Sequence, residues 1–417
     1  METFRTVRGV KDFLYEDAYS IYLLEEQARK IFRTYGYSEI RLPIIEDKFV
    51  FTRTLGDESD IVEKQIFNLL PLEKRLCLRP EATAQVARAL ISNNLLKNNE
   101  TIKFFYVGPM FRGERPQKGR YRQFHHLGAE FVGLDNIWVD AEIIILSSEL
   151  VKKLGIDSFN IEINTLGCKD DKNKLSELIK NKLSQVKKDL CENCLNRLEK
   201  NPLRVLDCKN PQCIEKVSTL KIANQHLCDN CRSEFKELQN ILKSNLVNFT
   251  INHNLVRGLD YYTKTVFEIK SSKLGAQDAL GAGGRYNDLI HELGGLNRPA
   301  CGFALGAERL LLAKTTQSQL KPIDVFVAYT NKSLYNYAFE ILLQLRKNEI
   351  AADIDFADKS LKAQLKYSQR LKTKTVVIVG DEEIKKNVLL VKFMDQSKQI
   401  EVEKDNLIDV IKERLTC

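Results

Sequence analysis

FRGERPQKGRYRQFHHLGAE, residues 111–130, contains the feature that decides the fold. PQKG in its middle has the composition of a tight turn, so we predict a β-hairpin with strands at 101–114 and 120–133. Because side chains on a strand alternate between its two faces, one face of the second strand is expected to be apolar. The other face is expected to carry Arg120, Phe124, His126, Gly128 and Glu130. This pattern predicts a polar sheet surface with a gap at Gly128.

Arginines accompany glycine or aromatic residues in several motifs, at Arg112, Arg120, Arg257 and Arg309. Arginine suits phosphate because its planar guanidinium makes two parallel hydrogen bonds and stays charged. Any one of them alone could instead form a surface salt bridge. The chain has no GxxxxGK[ST] motif, and GAGGRY at 281–286 does not fit GxGxxG. The sequence therefore predicts a nucleotide site built from arginines on an antiparallel sheet.

Composition and charge narrow the class of protein. The chain has 417 residues, 43% of them apolar and 29% charged, which is ordinary for a globular protein of two or three domains. Its net charge of +8 leaves open whether the partner is a polyanion. No apolar run approaches the ~20 residues of a membrane span. The first residues lack the apolar stretch of a signal peptide, so we expect a cytoplasmic protein.

The pattern along the chain predicts a core that is interrupted by an insertion and followed by a further domain. Helical spacing of apolar residues predicts a helix over 17–35 that stops at Gly36. A polar linker at 314–322 separates the core from a mixed α/β domain of order β-α-β-α-β-β. The predicted boundaries are 1–168 and 236–320 for the two parts of the core, 169–235 for the insertion, and 323–417 for the last domain.

Cysteines cluster in the predicted insertion. Six of the ten lie within residues 191–231, and two of the pairs are CxxC. In a reducing compartment this spacing favours zinc, although six cysteines and His226 exceed the four ligands that a structural zinc needs. We expect one Zn²⁺ per chain, held by Cys191, Cys194, Cys228 and Cys231. The alternative is that these are ordinary buried cysteines.

Three of these motifs resemble class II aminoacyl-tRNA synthetases. Residues 111–130 resemble the second motif of that class, CGFALGAERLLL (301–312) the third, and the helix leading to Pro43 the first, which forms a dimer interface. RGLDYYTKTVFEI (257–269) and AGGRYNDLI (282–290) are similar to stretches of the histidine-specific family. The resemblance implies an α+β fold. Its catalytic domain is an antiparallel sheet flanked by helices, with an inserted small domain and a C-terminal mixed α/β anticodon-binding domain.

The resemblance also implies a homodimer that joins L-histidine to tRNA(His), using ATP and Mg²⁺, through histidyl-adenylate. Arg112 and Arg257 would be catalytic, at the α-phosphate. ATP would contact Arg112, Glu114, Arg120, Phe124 and Arg309. Histidine would contact Glu81, Thr83, Arg112, His126, Glu130, Arg257, Tyr261, Tyr262 and Tyr286, in a pocket where Gly128 leaves room for the ring. The tRNA acceptor end would contact Arg115 and Gln117.

One position departs from that family. His126 stands where a glutamine is expected in contact with the α-amino group of the substrate. A histidine of ordinary pKa, near ~6.5, would become protonated on acidification and repel the ammonium group. We therefore expect the KM for histidine to rise below about pH 6.5, and His126→Gln to lose part of that effect.

Basic residues recur at helical spacing in the last domain, at Lys359, Lys362, Lys366 and Arg370. Such a stripe is often only a solvated face, but beside an anticodon-binding module it favours RNA contact. Two rival functions remain. One is a synthetase-like regulatory subunit of ATP phosphoribosyltransferase, which would erode the arginines and lack the last domain. The other is a zinc-containing RNA-binding protein without enzymatic activity.

Overall fold

A computed structural model describes residues 4–55, 61–69, 75–220, 222, 224–275, 278–315, 323–396 and 398–416. The chain forms two compact units, residues 1–318 and 319–417. Most of the predicted linker, residues 316–322, lies outside the described residues. Within the described residues, no helix is long and apolar enough to cross a membrane.

The first unit is built on a mixed, mainly antiparallel sheet with helices on both sides. Its strands are β1 Ser38–Glu39, β2 Ile45–Asp47, β3 Leu76–Leu78, β4 Ile102–Phe111, β5 Gln123–Val132, β6 Asn160–Thr165, β7 Phe249–Ile251, β8 Thr263–Lys270, β9 Ala279–Arg285 and β10 Ala300–Gly306. Its α-helices are α1 Tyr15–Thr34, α2 Lys48–Leu55, α3 Thr83–Ser92, α4 Ile137–Lys153, α5 Lys169–Ser184, α6 Glu192–Lys200, α7 Pro211–Thr219, α8 Asp229–Ser244, α9 Leu289–Glu292 and α10 Ala307–Ala313.

Eight of these strands form one sheet in the order β1-β4-β5-β10-β9-β8-β6-β7. The end pairs, β1 with β4 and β6 with β7, are parallel, and the pairs between them are antiparallel. β2 and β3 pair separately. This confirms the antiparallel sheet that the resemblance implied.

The predicted hairpin is confirmed as β4 and β5, which pair from Ile102 opposite Val132 to Phe111 opposite Gln123. Beyond these strands, Gln117 and Arg120 exchange backbone hydrogen bonds of 3.1 and 2.9 Å. Gly119 closes the turn with φ +72°, a conformation that glycine adopts without strain. The strands are therefore shorter than predicted, and a separate tight turn forms the tip.

The apolar face of the hairpin carries the main core. Leu127 and Ala129 are fully buried there, and the rings of Phe32 on α1 and Phe105 on β4 stack 4.8 Å apart. α4, α8 and α10 add their buried faces to the same cluster. The opposite, polar face of β5 is left for the site described below.

The end of the predicted insertion lies within a helix. α8 runs through the expected boundary at 235/236, and its buried residues Phe235, Leu238 and Leu242 pack in the same core cluster as α4. Whether 169–235 is a domain of its own stays a prediction.

The second unit is a mixed sheet with helices. Its elements are β11 Val325–Tyr329, α11 Tyr335–Lys347, β12 Ala352–Ile354, α12 Leu361–Arg370, β13 Thr375–Val379, α13 Asp381–Lys385, β14 Val388–Phe393, β15 Lys398–Glu403 and α14 Leu407–Thr416. The sheet order is β12-β11-β13-β14-β15, with the first three strands parallel. The predicted β-α-β-α-β-β order is present, extended by α13, β15 and α14.

Candidate active site

A cavity of about 470 Å³ opens on the polar face of the large sheet. It brings together side chains from β4, β5, β8 and α10, and from the segments before α3 and β8. The predicted site residues that line it are Glu81, Thr83, Arg112, Glu114, Arg120, Phe124, His126, Arg257, Tyr261, Tyr262 and Arg309. Residues separated by more than 200 positions thus meet in one place, as the sequence motifs require.

Arg112 lies at the end of β4, where its Nε donates to the carbonyl oxygen of Pro80 at 2.9 Å. Its guanidinium lies 5.2 Å from the ring centre of Phe124 on β5. Burial lowers the pKa of Arg112, but an arginine starts so high that it keeps its charge at neutral pH. The pocket therefore holds a fixed cation whose position is set by the backbone.

Arg257 faces a carboxylate, Glu268 on β8, with Nη1 to Oε1 at 2.7 Å. Burial alone would lower the pKa of Arg257, but the facing Glu268 raises it above its usual value. Its Nε is buried and has no hydrogen-bond partner among the described residues. One edge of the guanidinium is thus held by Glu268, while the hydrogen-bonding capacity of the buried Nε is unused among the described residues.

The remaining arginines belong to the outer part of the pocket. Arg309 donates to the carbonyl oxygens of Gly119 at 2.9 Å and Ala279 at 2.7 Å, which ties α10 to the hairpin tip and to β9. Burial, followed by the nearby Arg120 and Arg112, lowers its pKa. Arg120 forms an ion pair with Glu114. This end of the cavity is strongly cationic and suits a polyphosphate.

Glu130 lies buried beside the pocket, 1% exposed. Its Oε1 accepts hydrogen bonds from the hydroxyls of Thr83 at 2.8 Å and Tyr106 at 3.2 Å, and its Oε2 accepts one from Tyr286. Burial raises the pKa of Glu130 to about 8, and the three hydroxyls oppose that shift only in part. An added Cβ at Gly302 would overlap Oε2, so glycine is required opposite this carboxylate.

Glu81 and Thr83 are held by the start of α3. The Glu81 carboxylate accepts the backbone N–H groups of Thr83 at 2.6 Å and Ala84 at 3.0 Å. Burial raises its pKa, against the pull of these hydrogen bonds and of Arg112. The result is an acidic group in the pocket wall whose position is fixed by the backbone.

The adjacent histidines point to opposite faces of β5. His125 turns away from the pocket, with Nδ1 2.8 Å from the carboxylate of Glu308 on α10, which also accepts the backbone N–H of His125. His126 lines the pocket, and its Nδ1 is buried without a hydrogen-bond partner among the described residues.

The surroundings of His126 argue against the titration that the sequence predicts. Burial, followed by the charges of Arg112 and Arg309, holds its pKa well below the usual value. This environment therefore favours the neutral form of His126 and opposes its protonation on acidification.

The expected space above Gly128 is also filled. Tyr106, directly opposite on β4, occupies it, and a Cβ at Gly128 would overlap the Tyr106 ring. Gly128 thus makes room for a tyrosine of the protein rather than for the substrate ring. Tyr261, Tyr262 and Tyr286 do form an aromatic cluster, with ring centres 4.6 to 6.5 Å apart.

Sequence reasoning missed several residues of the site. Tyr106 could have been found, because it shares strand parity with Arg112. Glu268 alternates with buried positions on β8, but nothing in the sequence pairs it with Arg257. Asp207 and Lys209 also line the pocket, although they come from the inserted segment. No sequence signal indicated that this segment reaches the site.

The residues expected to contact tRNA lie on the surface. Arg115 and Gln117 are exposed at the hairpin tip. In the second unit, Lys362, Lys366 and Arg370 are exposed on α12, but Lys359 precedes this helix. The basic stripe therefore has three helical members rather than four. Lys359 instead lies 3.7 Å from Asp355 and 5.4 Å from the ring centre of Tyr367.

The expected set of zinc ligands is wrong. The structure divides the four cysteines between two clusters. Cys191 and Cys194 lie with Cys208 and Cys213, whereas Cys228 and Cys231 lie with Cys168 and Asp171. Spacing along the chain could not show which CxxC turns meet.

Comparison with known proteins identifies the family. The family model described as histidyl-tRNA synthetase matches residues 9–310, and that of an anticodon binding domain matches 324–414. The chain is 41% identical over 411 residues to the "Histidine--tRNA ligase" of Thermodesulfovibrio yellowstonii, covering 98% of both chains. It is 40% identical over 414 residues to that of Clostridioides difficile, covering 98% of this chain and 99% of the other. The chain belongs to the histidyl-tRNA synthetase family.

Solved structures agree with this assignment. The apo histidyl-tRNA synthetase of S. aureus superposes with a TM-score of 0.82 at 30% identity, covering 98% of this chain and all of that one. A chain from Bacillus halodurans, titled as an ATP phosphoribosyltransferase regulatory subunit/histidyl-tRNA synthetase, has a TM-score of 0.66 at 22% identity and shows the fold alone.

Membership of the histidyl-tRNA synthetase family makes this chain an aminoacyl-tRNA synthetase, and so an ATP-dependent enzyme. The two rival functions lose their support. The pocket retains Arg112, Arg257 and Arg309, which a regulatory subunit would not need, and the second unit is the matched anticodon-binding domain.

Proposed function

We propose that the cavity carries out both steps of the family reaction, the activation of L-histidine by ATP and its transfer to tRNA(His). The observation that carries this proposal is the presence of Arg112 and Arg257 in one cavity with a tyrosine cluster and the buried Glu130. Cations fixed beforehand around a phosphate stabilise the charge that develops during reaction. Such a site needs little reorganisation when the substrates arrive.

In the first step a carboxylate oxygen of histidine attacks the α-phosphorus of ATP, and the bond to diphosphate breaks. Negative charge grows on the α-phosphate oxygens, between Arg112 on one side and Arg257 on the other. Arg257 also receives the histidine carboxylate through its free Nε, while Glu268 keeps the opposite edge of the guanidinium in place. In the second step the 3′-terminal ribose hydroxyl of tRNA attacks the acyl carbon, and AMP leaves.

Histidine is recognised at both of its ends. Glu130 and Tyr262 bind the imidazole, with Tyr261 and Tyr286 completing the pocket wall. Because Glu130 already accepts three hydroxyls, its position is fixed before the substrate arrives. A site with buried polar groups rejects amino acids that leave those groups unpaired.

The α-ammonium group binds where acceptors converge. Glu81 supplies a carboxylate, Thr83 a hydroxyl, and His126 the unpaired Nδ1 of a neutral imidazole. A neutral histidine can accept one hydrogen bond, as the expected glutamine would.

ATP lies across the outer part of the cavity. Phe124 and Arg309 enclose the adenine, while Arg120 and Glu114 contact the nucleotide. Mg²⁺ binds chiefly through substrate phosphates and one or two carboxylates. The carboxylates of Glu114 and Glu268 line this region but already face arginines. We therefore treat Mg²⁺ as part of the ATP substrate, where it neutralises phosphate charge.

The tRNA is contacted at two distant points. Arg115 and Gln117 at the exposed hairpin tip receive the acceptor end. In the second unit, Lys362, Lys366 and Arg370 receive the phosphates of the anticodon arm. Phe356, 63% exposed just before α12, offers a ring on which an unpaired base can stack.

The protein is a homodimer in this proposal. Exposed apolar side chains gather in the first fifty residues, among them Tyr15, Tyr22, Ile45 and Phe49. Packing against a second copy of the chain would remove these apolar side chains from water. The cytoplasm is the proposed location, supported by the described cysteines, which are not joined in disulfides and so suit a reducing compartment.

ATP–diphosphate exchange, measured with each of the twenty amino acids, tests the proposed activity. We expect exchange with histidine alone. Exchange with another amino acid would refute the assigned specificity, and no exchange with any of them would refute the assigned chemistry.

A further inference from the structure

The inserted segment holds a cluster of four thiols. The sulfur atoms of Cys191, Cys194, Cys208 and Cys213 lie within 4.8 Å of one another, and those of Cys191 and Cys208 are 3.9 Å apart. A tetrahedral Zn²⁺ with Zn–S bonds of ~2.3 Å separates its sulfurs by about 3.8 Å. A disulfide requires about 2.05 Å. The arrangement therefore fits a metal and not a pair of disulfides.

A second cluster lies where the insertion meets the sheet. It consists of Cys168, Asp171, Cys228 and Cys231, whose ligand atoms also lie within 4.8 Å of one another. Asp171 is fully buried. Its Oδ1 accepts the backbone N–H of Cys228 at 3.0 Å, but its Oδ2 has no hydrogen-bond partner among the described residues. Lys174 Nζ lies 3.7 Å from Oδ1, but leaving the buried Oδ2 without a partner beside three thiols costs free energy that a bound cation would recover.

Both clusters are built from the same local structure. Cys168, Cys191 and Cys228 are the N-caps of α5, α6 and α8, and each is followed three residues later by Asp171, Cys194 or Cys231. Residues at these two positions lie on one side of the first helical turn, so each turn offers two ligands. Cys168-x-x-Asp171 is thus the counterpart of a CxxC turn, although its last residue is acidic.

Backbone amides support the sulfur atoms. The N–H of Cys191 donates to Cys213 Sγ at 3.2 Å, and the N–H of Cys168 donates to Cys231 Sγ at 3.3 Å. In the first cluster the N–H of Asn210 donates to Cys208 Sγ at 3.4 Å. Hydrogen bonds of this kind stabilise thiolate ligands and fix their direction.

Gly167 makes the second cluster possible. Its φ is +74°, and a Cβ there would lie 2.6 Å from Asp171 Oδ2. Only glycine allows the chain to turn so close to this carboxylate.

We propose that each chain binds two Zn²⁺ ions, one through Cys191, Cys194, Cys208 and Cys213, the other through Cys168, Asp171, Cys228 and Cys231. Thiolate-rich tetrahedral sets select zinc among the abundant divalent ions, and aspartate is an accepted fourth ligand. With four protein ligands each, both sites are closed and structural.

The two ions fasten the insertion to the active site. Cys208 lies between Asp207 and Lys209, which line the cavity. In the second site Asp171 precedes Lys172, whose Nζ donates to the carbonyl oxygens of Asp260 at 2.6 Å and Tyr262 at 2.9 Å. The first site therefore positions Asp207 and Lys209 in the cavity wall, and the second positions Lys172 against the backbone of the segment that carries Tyr262, a consequence that rests on the proposed function of the cavity.

Elemental analysis of protein purified under reducing conditions, without added metal, tests the stoichiometry. We expect two zinc ions per chain. Cys194→Ser and Cys231→Ser should each retain one, whereas Cys77→Ser, at a buried thiol outside both clusters, should retain two. Zinc-free protein that takes up no added Zn²⁺ would overturn the proposal, as would a single ion per chain.

Asp171 gives a test that does not depend on removing a thiol. Asp171→Cys should keep two ions and Asp171→Ala one. If Asp171→Ala and wild type contain equal amounts of zinc, Asp171 is not a ligand.

Alkylation of the native wild-type protein, read by mass spectrometry, covers the case in which variants do not fold. The thiols of both clusters should be protected until a chelator is added, namely those of Cys168, Cys191, Cys194, Cys208, Cys213, Cys228 and Cys231. Because Asp171 takes the place of a fourth thiolate, the group containing Cys228 should lose protection first. Reactivity unaffected by chelator would overturn the proposal. Histidine-dependent diphosphate exchange is measured separately. A protein that exchanges diphosphate without zinc would overturn only the zinc sites, and a protein that binds two zinc ions without exchange would overturn only the proposed activity.

Discussion

Arg257 is held in the pocket by the carboxylate of Glu268. Arg257→Ala removes one of the two cations that we propose flank the α-phosphate, and loss of one such donor typically costs ~10²–10³ in rate. We expect a decrease of that order in histidine-dependent diphosphate exchange, with tRNA binding nearly unchanged.

The substitution also removes the Arg257 partner of Glu268, which then keeps only the ion pair with Lys270 at 3.5 Å, so a control is needed. Arg257→Ala/Glu268→Gln removes the charge of that carboxylate and should remain as slow as the single variant. If the double variant recovers the wild-type rate, the defect came from Glu268 and Arg257 is not catalytic.

His126 provides a test of how substrate ammonium is bound. Since its pKa is held well below the usual value, His126 stays neutral on acidification, and the rise in KM for histidine reflects the substrate imidazole. Wild type and His126→Gln should therefore show the same dependence of KM on pH between 5.5 and 8.

At neutral pH the two side chains should be equivalent, because an amide oxygen accepts the same hydrogen bond. His126→Ala should raise KM for histidine roughly 10-fold or more, the value of one hydrogen bond to a charged group. Unchanged KM in the alanine variant would mean that His126 does not touch the substrate.

Strand parity explains how much of the site could be predicted residue by residue. Phe124, His126 and Glu130 were assigned to one face of β5 correctly, because alternation depends only on local geometry. The role of Gly128 was predicted wrongly, since the side chain that fills the space above it comes from β4. The charge state of His126 was missed for the same reason, because Arg309, almost 200 residues away, contributes to it.

Between elements, β5 and α10 are joined by the pair His125 and Glu308. The hydrogen bond to Glu308 raises the pKa of His125 despite its burial. The resulting stabilisation is complete below the pKa of an unfolded histidine, about 6.5, and is lost as the pH rises through the higher folded value. His125→Gln should therefore lower Tm more at pH 6 than at pH 9. A Tm difference that does not change with pH would show that His125 is not protonated in the folded protein.

α12 is the element expected to contact tRNA in the second unit. Lys362→Ala/Lys366→Ala/Arg370→Ala should raise KM for tRNA without changing diphosphate exchange. The salt dependence of tRNA binding should weaken by about 0.7 to 0.9 in log–log slope for each phosphate that the variant no longer binds. Lys347→Ala/Lys386→Ala/Lys398→Ala, with the same change of charge at exposed positions of this unit, is the matched control. Equal effects of the two triple variants would reduce the role of α12 to net charge.

Element order was predictable, but element pairing was less so. Turn residues and apolar spacing located the hairpin, α1 and the alternating elements of the second unit. Pairing of the cysteine turns was not predictable, because two CxxC sequences and CKNPQC allow several combinations. Asp171 is not a cysteine, so a search for CxxC spacing does not find it. Its role follows only from the meeting of α5 and α8.

At the scale of the whole molecule, the division of the chain into two units separates the chemistry from the second RNA-contacting surface. The cavity and its cations lie entirely within the first unit. A chain cut after Gln319 should therefore retain histidine-dependent diphosphate exchange within a few-fold, while charging of full-length tRNA falls steeply.

An RNA minihelix that contains only the acceptor stem supplies the control for the truncation. It offers nothing for the second unit to bind, so intact and truncated chains should charge it at similar rates. Poor charging of the minihelix by the truncated chain alone would mean that the cut damages the active site. Equal charging of full-length tRNA by both chains would mean that the second unit, despite its match to an anticodon-binding domain, adds nothing to tRNA selection.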